Sequence, residues 1–288
     1  MLDTKSILVA GATGFIGSYL VDELSKSFDV IAYGRTLKRE TPKSVREKII
    51  NININQDQKK LFEVDYLINC IGFTDTSSNN WSKFYTSNCL TTYSLLKNIR
   101  YKNFIQLSSF SIFSKNSLNH NQPDPINFYG LSKYLAEKVV EIEHTGEKTS
   151  SILRFPIVIG KSKTHKDFVN YIYDRAKFGD TIELYNSGMF LRDVIHISEA
   201  VKAVISLVKT DDLQGFNIFN IGCLNAISVL DICKHILDKT TSKSRIDFVD
   251  HQSSNDFDSL VKFNKSSRIS YTSLSIEKNL DLFLESEY

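Results

Sequence analysis

The chain has 288 residues, 42% hydrophobic and 24% charged, which suits a soluble protein of one large α/β domain or of a domain with a smaller partner. Its 35 Lys and Arg against 33 Asp and Glu leave a net +2, far from the basic footprint of a nucleic-acid binder. No apolar run nears the roughly 20 residues of a membrane span. The apolar start Ile7–Ala10 is cut short by Gly11 with no small-residue cleavage site after it, and Cys70, Cys89, Cys223 and Cys233 are widely spaced. The expectation is a cytoplasmic protein with reduced thiols, not a secreted disulfide scaffold.

In chain order, predicted strands and helices alternate. Ile7–Ala10 is a strand, Phe15–Ser25 a helix, and Val30–Tyr33, Ile49–Ile54 and Tyr66–Ile71 are strands. A helix over Phe84–Ile99, a strand at Phe104–Leu107, a helix over Tyr129–Ile142 and a strand at Ile152–Ile159 follow. Glu199–Leu207 reads as a helix and Phe216–Ile221 as a strand returning to the sheet. Strands that are apolar on both faces, separated by helices, predict a Rossmann-type doubly wound parallel sheet. Ser111–Asn127 and His251–Ser267 read as polar loops. The expected division is a nucleotide-binding domain over 1–156 with about 190–222, and a small C-terminal lobe from 157–189 and 223–288.

Gly11-Ala12-Thr13-Gly14-Phe15-Ile16-Gly17 is G-x-x-G-x-x-G, placed directly after the first strand and opening the first helix. Glycine there permits a tight turn, close approach to a pyrophosphate and close helix–strand packing. The helix N-terminus adds free N–H groups and positive dipole density. A site for NAD places an acidic residue at the end of the second strand. Here Val30-Ile31-Ala32-Tyr33 leads into Gly34-Arg35, with Lys38 and Arg39 close behind. A guanidinium suits a 2′-phosphate, so the expectation is NADP(H) over NAD(H), with a merely solvated Arg35 as the alternative.

Tyr129 and Lys133 in Tyr129-Gly130-Leu131-Ser132-Lys133 stand at i and i+4 on one helix face. A phenol is a poor acid–base group at neutral pH, and a cation one turn away is expected to bring its pKa down. Leu107-Ser108-Ser109-Phe110-Ser111-Ile112-Phe113 ends the preceding apolar strand and brings hydroxyls to the sheet's carboxyl edge. The six histidines (His120, His144, His165, His196, His235, His251) show no metal-ligand spacing.

With the glycine turn, these residues resemble the extended short-chain dehydrogenase/reductase family, which includes nucleotide-sugar epimerases, dehydratases and ketoreductases. Asn88, Leu153-Arg154 through Gly160, Leu191-Arg192-Asp193-Val194-Ile195-His196 and Asn220-Ile221-Gly222 match further family segments in the same order. The resemblance implies catalytic Ser109, Tyr129 and Lys133, with Ser109 selected over Ser108 because Phe113 stands for the family's tyrosine four residues on. It implies a dinucleotide held by Gly11, Thr13, Gly14, Phe15, Ile16, Gly17, Arg35, Ile71, Gly72, Tyr129 and Lys133. Thr74, Ser109 and Arg192 would face the sugar nucleotide. For Arg192 an ion pair with Asp193 is the alternative. It also implies a homodimer through the helices Phe84–Ile99 and Tyr129–Ile142.

Dehydratases of the family carry T-D-E where this chain has Ser109-Phe110-Ser111, so a 4,6-dehydratase is not expected. Phe155-Pro156-Ile157 is similar to a P-P-L variant seen near UDP-N-acetylhexosamine epimerases and reductases of 4-keto-6-deoxy-aminosugars. The expectation is an NADPH-dependent 4-ketoreductase acting on a nucleotide-activated deoxysugar. An NAD-dependent 4-epimerase and a non-catalytic NADP-binding sensor or assembly subunit stay as alternatives.

Overall fold

A computed structural model describes residues 5–34, 49–50, 62–76, 78–114, 122–162, 167–223, 225–250 and 270–287. Seven parallel strands form the central sheet: β1 (Ser6–Ala10), β2 (Asp29–Tyr33), β3 (Ile49–Ile50), β4 (Phe62–Asn69), β5 (Ile99–Ser109), β6 (Thr149–Phe155) and β11 (Gly215–Asn220). Their order is β11-β6-β5-β4-β1-β2-β3. The strand order reverses between β1 and β4, so the crevice outside their carboxyl ends is where a doubly wound sheet accepts ligands.

The period-2 alternation of each strand divides its side chains between two cores. Ile7, Val9, Ile68 and Leu107 point to one face, where α1 (Phe15–Leu24) supplies Leu20, Val21 and Leu24. The helix α6 (Ile197–Val208) adds Val201 and Val204 to that face. Leu8, Leu67 and Phe104 point to the other face, against Leu95 and Leu96 of α3 (Thr91–Asn98) and Val140 of α4 (Phe128–Glu143). The short helix α2 (Trp81–Phe84) continues into α3 through a π-helical turn, Tyr85–Leu90.

Among the described residues, three two-stranded ribbons accompany this sheet. β7 (Ile157–Ile159) pairs parallel with β10 (Val194–His196), and β8 (Ile182–Tyr185) parallel with β13 (Ile246–Val249). β9 (Leu191–Arg192) pairs antiparallel with β12 (Ile227–Ser228). Helices α5 (Phe168–Phe178), α7 (Val229–Lys239) and α8 (Ile276–Glu287) carry the remaining apolar faces. The helix α5 starts at a reciprocal Asp167–Asn170 capping box and stops at Gly179, whose φ of 72° suits glycine.

One difference from the sequence reading has a clear cause. The run Ile152–Ile159 is two strands in two sheets, because Pro156 between them has no N–H to give a ladder. Of the segment 190–222, only β11 joins the main sheet; β9 and β10 lie in ribbons. No described helix is long and apolar enough to cross a membrane, and the four cysteines are free thiols.

Candidate active site

The turn between β1 and α1 is shaped by what glycine lacks. Gly11 sits at φ 85° with its backbone so close to Cys70 and Ile71 that a Cβ would lie 2.8 Å from each. A Cβ on Gly17 would lie 2.2 Å from the Gly11 carbonyl oxygen, so the first helical turn can meet the strand end only if that residue is glycine. Gly11 and Ala12 N–H both donate to the Tyr33 carbonyl at 2.9 and 3.0 Å, tying the turn to β2. Gly14 caps α1 without a side chain, and no acidic residue occupies the helix's first turn. The N-terminal N–H groups and the positive helix end are therefore presented to an anion, a cradle that fits a pyrophosphate. Thr13, Phe15 and Ile16 line the same turn half-buried.

At the ends of β4 and β5 a set of buried amides holds the loop that faces this cradle. Asn69 donates to Thr92 Oγ1 at 3.0 Å and to Gln106 Oε1 at 2.9 Å, while its Oδ1 accepts the Ile71 N–H at 3.0 Å. Asn88 accepts from Phe73 N–H at 2.6 Å and donates to the Phe73 carbonyl and to Ser132 Oγ at 3.1 and 2.8 Å. This one amide thereby joins the loop after β4 to α4. It stands in the π-helical turn, a local widening common at functional sites. Gly72 and Thr74 are exposed on that loop, and Ile71 is half-buried.

Ser109 ends β5 and caps the short turn Phe110–Ile112, accepting the Ser111 N–H at 3.1 Å. Asn127 caps α4 by accepting the Gly130 N–H at 2.8 Å, which sets Tyr129 in the first turn. A Cβ on Gly130 would come 2.0 Å from the Ser111 carbonyl oxygen, so glycine lets α4 close down on the Ser109 turn. The outcome is a Tyr129 phenol hydrogen-bonded to Ser109, its ring 6.3 Å from the buried Phe84 ring. Lys133, one turn on, is buried and donates to the Leu107 carbonyl.

The electrostatics here correct one expectation. Burial pushes the Tyr129 phenol above its ordinary range, and the hydrogen bond from Ser109 is what opposes that rise. Burial likewise brings the Lys133 ammonium down to about 8, resisted by Glu137 and Cys70. Desolvation of both groups outweighs the help a nearby cation would give the phenolate.

Ser109, Tyr129 and Lys133 are thus gathered at the sheet edge, beside the loop carrying Ile71, Gly72 and Thr74. Arg35, Lys38 and Arg39 lie outside the described residues. Arg192 stands on β9, half-buried, its Nη1 donating to the Leu191 carbonyl at 3.0 Å and its guanidinium 5.7 Å from the Phe190 ring. Asp193 turns inward instead and accepts the Cys223 N–H at 3.0 and 3.1 Å. A Cβ on Gly222 would touch both Asp193 and Phe110, so this segment packs directly behind the Ser109 turn. Glu137 was not singled out from sequence; its place four residues after Lys133 was the available signal.

Comparison with known proteins shows the family and the fold. The profile of the "NAD dependent epimerase/dehydratase family" matches residues 7–222. The chain is 26% identical to a dTDP-D-glucose 4,6-dehydratase of Dictyostelium discoideum over 81% of its own length, and spans 62% of that relative. It is 27% identical to the CDP-abequose synthase of Salmonella muenchen, with 86% of this chain and 85% of the relative covered. The fold superposes on the UDP-glucuronic acid 4-epimerase of Bacillus cereus, solved with UDP-glucuronic acid and NAD, at a TM-score of 0.83. That alignment covers 98% of each chain at 20% identity. A UDP-N-acetylglucosamine 4-epimerase from Methanobrevibacter ruminantium, in complex with UDP-N-acetylmuramic acid, superposes at 0.84 with 20% identity, over 100% of this chain and 99% of the other.

Proposed function

The chain belongs to the NAD dependent epimerase/dehydratase family, and from that premise we propose that it reduces the 4-keto group of a nucleotide-activated deoxysugar, with NADPH as the reductant. The observation that carries the reading is the meeting of Ser109, Tyr129 and Lys133 at the sheet edge that also presents the Gly11–Gly17 cradle. The cradle would hold the pyrophosphate, and Lys133 would reach the nicotinamide ribose. When bound, the reduced nicotinamide supplies the hydride.

The chain's own residues then manage the oxygen. The half-buried Tyr129 phenol, raised above its usual range by desolvation, keeps its proton at neutral pH and can give it to the developing C4 alkoxide. Ser109 donates to the same oxygen and fixes its position beside the phenol. Thr74 and Arg192 would meet the sugar and its diphosphate. Phe110 speaks against dehydration: it is buried with Ile112 and Phe113, so an apolar ring fills the place where a dehydratase would carry a carboxylate. Arg35 favours NADPH on its chemistry and its place after β2.

A second reading, an NAD-dependent 4-epimerase, is favoured by the solved 4-epimerases on which the fold superposes. Purified protein assayed with a panel of 4-keto sugar nucleotides separates the two. Net NADPH oxidation supports the reductase. Interconversion of UDP-sugars with tightly held NAD and no net oxidation supports the epimerase. Dinucleotide binding without turnover on either panel points to a non-catalytic sensor or assembly subunit. The same reading makes the protein a cytoplasmic homodimer, with exposed Tyr85, Tyr93 and Phe128 on the helices expected to pair; light scattering of the purified protein checks the mass.

A further inference from the structure

A second charged cluster lies under the site. Tyr129, Lys133 and Glu137 fall at i, i+4 and i+8 of α4 and share one stripe of the helix. Facing that stripe, Ser108 on β5 and Arg154 on β6 are partners in the sheet register. The Glu137 carboxylate takes both. Arg154 Nε donates at 3.0 and 3.2 Å and Nη2 at 2.7 Å, while Ser108 Oγ donates to Oε1. Both ionic side chains are buried, at 8% and 3% exposure, and the guanidinium lies 5.3 Å from the Phe113 ring centre. A buried ion pair of this kind is a weak source of net stability, because desolvation offsets much of its attraction.

We infer that Glu137 is a positioning residue for the site, its carboxylate held by Arg154 and Ser108 so that it governs the charge on Lys133. This rests on the reading of Lys133 as part of the catalytic machinery. The groups acting on the Lys133 ammonium are Glu137 from its own helix, Cys70 after the end of β4 and the Leu107 carbonyl from β5. Arg154 acts from β6 through Glu137. Burial takes Lys133 down to about 8, and Glu137 is the largest influence in the other direction. Arg154 neutralises part of the Glu137 charge, so the two partners of one ion pair pull Lys133 in opposite senses.

The test is a titration of Lys133 in the full chain, free of nucleotide. Protein labelled with ¹³C-lysine is followed by NMR from about pH 6 to about pH 11, the Lys133 signal being assigned by its absence in Lys133→Arg. The wild-type midpoint is expected near 8. Glu137→Gln lowers it by about one unit, and Arg154→Gln raises it by a similar amount. A purely structural pair would lower both variants' melting temperatures and leave the midpoint in place; an unmoved midpoint, or movement in the same direction in both variants, overturns the inference. Should neither single variant fold, the paired replacement Glu137→Gln with Arg154→Met decides. Its midpoint falls below wild type if Glu137 dominates, and a midpoint at or above wild type refutes that. Turnover by Tyr129→Phe is measured alongside. Retained turnover removes the catalytic reading without touching the titration, whereas lost turnover with an unmoved Lys133 midpoint removes only the inference.

Discussion

Ser109 has three tasks: it ends β5, caps the next turn by accepting the Ser111 N–H, and bonds the Tyr129 phenol. Only the last two involve its hydroxyl, and only the last bears on chemistry. Ser109→Ala therefore removes the one interaction that lowers the Tyr129 pKa. The phenol's midpoint moves further upward, read as the phenolate absorbance that disappears in Tyr129→Phe. Turnover falls roughly 10²-fold with the lost donor, and Ser109→Thr restores most of it because the hydroxyl is kept. Y-x-x-x-K at helical spacing and a serine-ended strand are local patterns that made Tyr129, Lys133 and the Ser108–Ser111 segment legible in the sequence, and the family resemblance singled out Ser109 among its serines. The direction of the Tyr129 shift was not legible there. It depends on how deeply the fold buries the phenol, which no spacing records.

Between elements, the decisive contacts are those that bring helix ends down onto strand ends. Gly130→Ala would force the N-terminus of α4 off the Ser111 carbonyl and separate Tyr129 from Ser109. Displacement on the order of 1 Å is enough to cost about 10²-fold in turnover, with dinucleotide affinity largely kept; steady-state rates and a binding titration on the same preparation check both. Gly17→Ala acts at the other end of the crevice. It pushes α1 from the Gly11 carbonyl, so dinucleotide affinity falls at least about tenfold, as the cradle loses its geometry. The glycine turn could be read directly from sequence, because its glycines lie within seven residues. The Asn88 clamp and the Glu137–Arg154 pair could not be built that way. Their partners are 15 to 44 and 17 residues distant, and their meeting depends on the order of strands in the sheet.

At the scale of the whole molecule, two buried groups, Asp193 behind the Ser109 turn and His196 at the start of α6, give stability an opposing pH dependence. Burial raises Asp193 to about 7 from its ordinary 3.8. Its contribution is complete below about 4 and is lost as pH rises through 7. Burial lowers His196 to about 4 from 6.5, so its contribution is present above 6.5 and is lost as pH falls through 4. The windows overlap, and the trends offset in the wild type. Asp193→Asn removes only the first, so its stability relative to wild type climbs between about pH 4 and pH 7 in thermal melts. A constant difference would show that Asp193 is not titrating in that range. The sheet itself was legible in outline: alternation of apolar runs and amphipathic helices gave the doubly wound class, and β11 was expected to return to it. The break at Pro156 had a local sign in the proline itself, whereas the ribbons that carry Arg192 are tertiary outcomes, set by which strand edges remain available.

The central claim is that Tyr129 gives the proton that completes reduction of a nucleotide-bound 4-keto sugar. Its most direct test is NADPH oxidation, followed by absorbance, with 4-keto-6-deoxy sugar nucleotides on wild type and Tyr129→Phe at matched concentrations. Wild type consumes NADPH, whereas Tyr129→Phe keeps most of its affinity for it and loses at least about 10²-fold in turnover. Turnover by Tyr129→Phe close to the wild-type rate would contradict the account.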